Sequence, residues 1–539
     1  MNNPFGATAA ERYDQLQNDR QPYIDRARQL ASLSMPFLMP EQGTTGSTAI
    51  NSPWQNLGAR GVRTLASKLQ QALFPPEPFF KYLTSDVVTQ QLAQANGAGD
   101  PVKGEIELAL NARERAIMRE VDASQFRVAS VPTFMHLLVT GNHLIHIPID
   151  FKPPDTGRVR TWRLDQYVVR RDPTGQVLEF VIEEETTAAS LPESGRRFVK
   201  DPNSTDTVLF YTHVYRDPEN PEDWIVYQEI DGQIVPETQG TYKDDAFPYI
   251  VARLNAQPGE HYGRSYLEEF HGDLSALDSL SKDLLENSAA CARTVFMVDP
   301  AGSTSLKAVA EAQNLDVIAG SSEEVSTLRV DKAADLRVTE EAIQRLSQSL
   351  AYSFLLNTAV QRPQERVTAE EIRYVAAELD SALGGMYTVL GADLQLPAVK
   401  VFEQRAIKAQ QLPEIPKDLA SPVIVTGLQA LSRGSEQRNL KAWLSDVAQV
   451  LGPEQTFTEI NLSEFVKRSA AAYGIDTFGL LKTAEQKAQE QQQAQMMAMV
   501  QQLGPQAIQQ MGGMAQEAMK NPAGVSNIQA QAAQMMPQQ

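Results

Sequence analysis

Apolar positions recur at helical spacing along most of this chain and switch to strict alternation in one internal block. The first helical stretch opens at Thr8-Ala-Ala-Glu11, a spacing that lets Thr8 and Glu11 each satisfy the other's free amide. Tyr13, Leu16, Tyr23, Ala27 and Leu30 then follow a period near 3.6 above a charged opposite face, with Pro22 predicting a kink and Pro36 a stop. A loop rich in Gly, Ser and Thr runs to Asn51. After Pro53-Trp54-Gln55, Leu65, Leu69 and Leu73 mark a second helix closed by Pro75 and Pro76. From about Val159 to Leu254 the pattern alternates, as in Val208–Tyr215 and Trp224–Ile230. Turn signals at Asp172–Gly175, Asp217–Pro221 and Asp231-Gly232 separate the segments, so antiparallel sheet is expected.

Helical spacing returns at Ser265, with Glu268 completing another capping box. Leu267, Phe270, Leu274, Leu277, Leu280 and Leu284 trace one stripe to about Ala290, a helix of roughly 26 residues and about 39 Å. Asp299–Gly302 breaks the chain, and residues 303 to 335 are mixed and short-segmented. A second helix is expected from about Thr339 to Leu356, with Glu340 and Glu341 in its first turn. Residues 357 to 366 form a polar connector containing Pro363. Thr368 and Glu371 then make a third capping box, and Ile372, Val375, Leu379, Leu383, Met386, Leu390 and Leu394 continue a helical stripe past Gly384-Gly385, where a bend is expected. Helices around 440–450 and 462–472 follow. From Gln489 there are 16 Gln in 51 residues, with eight of the fifteen methionines past residue 495, a composition that supplies no core.

Composition narrows the function classes. The 539 residues carry 48 basic and 67 acidic side chains, a net charge of −19. That length holds several domains on the prior of roughly 150 residues each. The lone Cys291 excludes an internal disulfide or a multi-thiolate metal site and fits a reducing compartment. No run of 18 apolar residues occurs and the N-terminus lacks a basic region followed by an apolar one, so neither a membrane span nor a secretory signal is expected.

Candidate chemistry is sparse. His143 and His146 have an H-x-x-H spacing, but in strand-like sequence residues three apart point to opposite faces, which disfavours a shared metal. His136, on an apolar helical stretch, reads as packed or surface histidine. Glu268/Glu269 and Glu370/Glu371 begin helices, where capping and the macrodipole explain them. Gly58-Ala-Arg-Gly61 is only loosely like an anion nest, and no P-loop, Gly-x-Ser-x-Gly or His-Glu-x-x-His pattern occurs. No enzyme constellation is present, and no catalytic residue, cofactor or metal is assigned.

Several segments together resemble one family. They are Pro53-Trp54-Gln55 with Gly58-Ala-Arg-Gly61 and Leu65-Ala-Ser-Lys-Leu69; Tyr262-Gly-Arg-Ser-Tyr266 with Glu268-Glu269 and Gly272-Asp-Leu274; and Ala359-Val-Gln-Arg362 followed by Glu365–Tyr374. The sequence resembles the portal, or head-to-tail connector, of short-tailed T7-like bacteriophages over roughly residues 8 to 480. The resemblance implies an α+β, predominantly helical portal fold. Residues 1–264 would be the wing, helical and then β-rich; 265–295 stem helix 1; 296–335 the clip; 336–356 stem helix 2; 357–366 the tunnel loop. Residues 367–429 would be the bent wing helix and connection, 430–488 a helical crown, and 489–539 the Gln/Met-rich tail.

It further implies a homo-oligomeric ring of about twelve subunits at the capsid vertex of a virion, assembled in the host cytoplasm. Double-stranded DNA would pass through without sequence specificity during packaging and ejection. Terminase, tail adaptor, major capsid, scaffold and internal core proteins are the implied partners. An acidic chain suits a conduit, because each phosphate contact adds affinity that would hold the DNA in place. Arg362 and Arg366 on the proposed loop, with Gln361 beside them and Arg345 on the preceding helix, are the candidate DNA-facing residues. Loop arginines also pair with neighbouring acids such as Glu365 and Glu370. The alternative reading is a non-ring virion adaptor or scaffold protein.

Overall fold

Thr8 caps the first helix as its spacing requires. In the computed structural model its side chain accepts from the Glu11 amide at 3.2 Å, while the Glu11 carboxylate accepts from the Thr8 amide at 2.9 Å. The structure describes residues 5–44, 46–76, 78–84, 101–151, 157–191, 193–199, 201, 207–292, 295–313, 316–328, 333–356, 385–415, 419–425, 442–449, 452 and 466. Helix α1, Ala9–Ser32, runs unbroken through Pro22, and α2 spans Leu57–Leu73. The paired glycines of α2 are packing positions, not a nest. A Cβ on Gly58 would meet the Leu33 carbonyl oxygen at 2.6 Å, and one on Gly61 would meet the Phe354 ring at 2.5 Å.

Strand β1, Phe80–Thr84, is followed by α3, Pro101–Ala123, and α4, Phe126–Thr140. Gln125 turns the chain between these helices with φ of 57°, and Gly141 ends α4 at φ 75°. Strand β2, Asn142–His146, pairs with β3, Arg160–Trp162, on one side and with β9, Tyr249–Arg253, on the other. The alternating block supplies a five-stranded antiparallel sheet of β4, Tyr167–Arg171; β5, Val177–Thr187; β6, Thr207–Arg216; β7, Asp223–Ile230; and β8, Gln233–Lys243. Asp231 and Gly232, both at positive φ, close the β7–β8 hairpin, as Asp-Gly turns of the mirror-image type do.

A short 3₁₀ turn at Tyr266–Phe270, capped by Ser265 and Glu268, leads into α5, His271–Ala292. Strands β10, Val295–Val298, and β11, Val325–Leu328, pair antiparallel, and α6 covers Ala333–Ser353. The second long helix thus begins six residues earlier than Thr339. Glu340 and Glu341 lie in its third turn, because Ala333, Ala334, Leu336 and Arg337 are themselves strong helix formers. Residues Gly385–Leu390 are helical, Gly391–Gln395 form a π-helical turn, and α7 runs from Leu396 to Lys408. Strand β12, Ala420–Ile424, returns to pair with β1. Residues 442–449 are helical, as expected. The expected third capping box and the bend at Gly384-Gly385 rest on residues outside the described ones. The chain divides after Thr456, and of the second unit only Val466, in helical conformation, is described. The expected helix at 462–472 and the Gln/Met-rich tail otherwise lie outside the described residues. Among the described residues no helix is long and apolar enough to cross a membrane.

One continuous core joins α1, α2, α4, the β2 sheet, the base of α5 and the end of α6, with Phe74, Phe134, Leu144, Tyr262, Leu274 and Phe354 at its centre. A second cluster seats Tyr13 and Leu16 of α1 on Val181, Tyr215 and Tyr227 of the five-stranded sheet. Because the Phe354 ring fills the space over Gly61, Gly61→Ala is expected to cost about 1–3 kcal/mol through overpacking. Thermal unfolding checks this, and an unchanged midpoint would mean that the ring yields freely.

Candidate channel site

The two long helices are antiparallel neighbours. The base of α5 meets the end of α6, where Phe270 and Phe354 ring centres lie 5.8 Å apart, and β10 pairs with β11 at the other end. Leu274 and Leu277 of α5 and Leu350 of α6 are buried, with Ile343 and Leu346 packed at the edge of the same core. Burial fades along α5: Leu280 and Leu284 are half-exposed and Leu285 is exposed. A helix whose apolar stripe outruns its own core leaves surface for another molecule.

On α6, Val338, Glu341, Arg345, Gln348 and Tyr352 share one exposed face, and Tyr352 is 78% exposed. Arg345 lies 3.9 Å from Glu341, one turn away, in an exposed pair of the kind worth a few tenths of a kcal/mol. It is therefore a solvated residue with a local partner. Gln361, Arg362 and Arg366 lie outside the described residues.

No local pattern in the sequence reveals how the chain leaves α6. The Leu355 amide bonds to the Tyr352 carbonyl and the Leu356 amide to the Ala351 carbonyl, with Leu355 at φ 54°. That is a Schellman stop carrying leucine where glycine is usual. Three neighbours hold it: Phe354 presses on Gly61, the Tyr266 hydroxyl donates to the Ser353 carbonyl at 2.9 Å, and Lys68 Nζ donates to the Leu355 carbonyl at 2.9 Å. The root of the 357–366 segment is thus fixed by α2 and by the base of α5. Asp278 of α5 also holds the segment that leads into α2, accepting from the Trp54 amide at 2.7 Å.

At the far end, Glu324 accepts from the Thr304 amide at 2.8 Å, the Thr304 hydroxyl at 2.7 Å and the Ser303 hydroxyl at 3.1 Å. These bonds, the Thr304 hydroxyl foremost, hold its carboxyl down at about 2. Leu306 and Val317 stand out in the same region, 70% and 100% exposed.

The histidines occupy different surroundings. His143 on β2 is buried and stacks on His136 of α4, the ring centres 4.7 Å apart at 9°. His146, on the opposite side of the strand, lies 4.5 Å from the Tyr249 ring. Parallel stacked imidazoles aim their lone pairs along parallel planes, so they do not converge on a metal. Burial pushes His136 down to about 4 and His143 well below its ordinary value.

The two long helices thus form an acid-rich antiparallel pair, rooted in the main core at one end and joined at the other through the β10–β11 strand pair. The model of the family described as bacteriophage head to tail connecting protein matches residues 6–481, and the chain belongs to that family. It is 38% identical over 519 residues to the portal protein of Escherichia phage T7, covering 95% of this chain and 94% of that one. It is 39% identical over 481 residues to the portal protein of Enterobacteria phage T3, covering 88% of each. With the portal protein of Pseudomonas phage phiKMV it shares 29% over 483 residues, covering 88% of this chain and 92% of the other.

Proposed function

We propose that the chain is the subunit of a portal ring at a capsid vertex, through which double-stranded DNA is packaged and later ejected. The observation that carries this reading is the family match across residues 6–481, which takes in the whole α5–hairpin–α6 unit. In this reading residues 265–295 and 336–356 are the stem helices bordering the channel and 357–366 the tunnel loop. Residues 296–335 are the clip that receives terminase and then the tail adaptor, and 430–488 the crown. The α5 helix carries four acids against one lysine, and that net negative charge repels phosphates more than it holds them. The exposed Leu306 and Val317 give the clip an apolar surface for a partner protein. ATP hydrolysis belongs to the terminase.

The direct test is electron microscopy of the purified chain, together with its mass in solution. Rings with an open axis support the reading; a chain that stays monomeric at high concentration, or forms irregular polymers, favours a non-ring adaptor. For the loop, Arg362→Glu with Arg366→Glu is expected to leave assembly intact and to lower the yield of filled heads. Normal packaging and retention by the double variant would remove the arginines from any DNA-facing role.

A further inference from the structure

We propose that the exposed cationic face of α2 and the exposed acidic face at the start of α5 are the two halves of the contact between neighbouring copies of this chain. The proposal rests on the ring reading and adds the residues that join one copy to the next.

Helix α2 carries Arg60, Arg63 and Lys68 and no acid, in a chain whose net charge is −19. Lys68 is spent on the Leu355 carbonyl. Arg60 and Arg63 are exposed, and among the described residues neither has an ion-pair or hydrogen-bond partner. They stand one turn apart, with exposed Ser67 continuing their face, while Gly61, Leu65 and Leu69 on the other face are buried. Among the described residues, then, no acid of the same copy answers these two cations.

The opposite situation holds on α5. Neighbouring acids are already committed: Glu268 to the Ser265 amide, Asp278 to the Trp54 amide, and Glu286 to Lys282. Glu269 and Asp273 are exposed and have no ion-pair or hydrogen-bond partner among the described residues. Glu269 lies in the 3₁₀ turn that leads into α5 and Asp273 in the first turn of that helix, so two like charges stand close together on an exposed stretch. Ala276, Leu280 and Asp283 extend that face toward the part of α5 whose apolar stripe outruns the core.

Among its described residues each copy therefore offers two arginines one turn apart and two nearby carboxylates, none of the four with a partner, on different surfaces. That is what a head-to-tail ring needs, since every interface takes one face from each of two copies. DNA as the ligand of Arg60 and Arg63 would leave Glu269 and Asp273 unexplained. A second copy accounts for both pairs.

Charge reversal tests this on the full-length chain, read by sedimentation and electron microscopy at a concentration where the natural chain forms rings. Arg60→Glu with Arg63→Glu is expected to raise the concentration needed for assembly at least about tenfold, and Glu269→Arg with Asp273→Arg to do the same. An equimolar mixture of the two double variants is expected to assemble again, because alternating copies restore opposite charges at every interface. Recovery on mixing also excludes misfolding as the cause of the single defects. Unimpaired assembly by either double variant, or no recovery in the mixture, would overturn the proposal. So would rings formed normally by the Arg60→Glu, Arg63→Glu double variant but with loss of DNA, which would assign the arginines to the genome. Absence of rings from the natural chain itself would count against the ring reading and not against these residues.

Discussion

Glu179→Ala is expected to lower stability by about 3–5 kcal/mol, the cost of leaving a buried charge without its partner. The Glu179 carboxylate receives Arg12 Nε at 2.8 Å and an Arg12 terminal nitrogen at 2.7 Å, and it meets His213 Nε2 at 2.9 Å. The His213 Nδ1 is in turn 2.7 Å from the Tyr227 hydroxyl, and the His213 and Glu179 side chains are 0% and 2% exposed. Burial alone would raise the Glu179 carboxyl, yet the bonds from His213 and Arg12 hold it below the ordinary carboxylate range. Removing the carboxylate strands a guanidinium and an imidazole between α1 and the five-stranded sheet. Denaturant unfolding of the natural chain and of Glu179→Ala checks this. Arg12→Met combined with Glu179→Leu is expected to lose far less, because an apolar replacement strands no arginine. A loss under about 1 kcal/mol for Glu179→Ala would show that the pair adds little beyond packing.

The second large effect is acid sensitivity from the stacked histidines. His136 is 8% exposed and His143 1% exposed, and burial is the first cause of their lowered values. Beyond one another, the charged groups acting on His136 are Arg163, which lowers it further, and Asp165, which raises it; these two also pair with each other at 3.0 Å. In the unfolded chain both rings take up protons near 6.5, whereas in the folded chain His136 does so only near 4. For His136 the unfolded state binds more protons between those values, so its share of the stability falls as pH drops below about 6.5 and levels off near 4. For His136 alone the span corresponds to about 3 kcal/mol, and His143 adds to it in the same direction. Glu179 and Glu260, whose carboxyls are held low, lose their stabilisation only below the ordinary carboxylate range. Between about pH 6.5 and about 4.5 the loss of stability therefore comes from the histidines, while Asp393, whose carboxyl is raised by burial, acts in the opposite direction. Unfolding midpoints across that window are expected to decline for the natural chain and to flatten for His136→Leu with His143→Leu. Equal declines in both would sink the assignment.

Local signals in the sequence reported the fold faithfully where one residue's partner lies close by. Thr8 with Glu11, Ser265 with Glu268, and Asp231-Gly232 each fix a short stretch of backbone, and each is formed as read. The early start of α6 escaped because acids two turns into a helix look like acids at its start. The π-helical turn at Gly391–Gln395 escaped because a helical stripe does not reveal one extra residue per turn. Long-range partners were beyond reach altogether. Arg405 reads as an ordinary charge near the end of a helix, yet it is buried and donates to Glu120 at 2.8 Å. Of the site, the paired helices were legible from periodicity. The Lys68–Leu355 contact and the exposure of Arg60 and Arg63 on α2 were not, since pairing is a property of the folded neighbourhood.

The β1–β12 ribbon bears on when a subunit is finished. Phe80 and Tyr82 find their strand partners, Ile424 and Pro422, more than three hundred residues further along the chain. At synthesis rates of about 5–20 residues per second the first strand waits tens of seconds on the ribosome before its mate emerges. Arg113 with Glu403 and Glu120 with Arg405, 290 and 285 residues apart, wait nearly as long. A nascent copy thus stays unready to join its siblings until most of the polypeptide has been made, a delay that favours recruitment of complete copies over truncated ones.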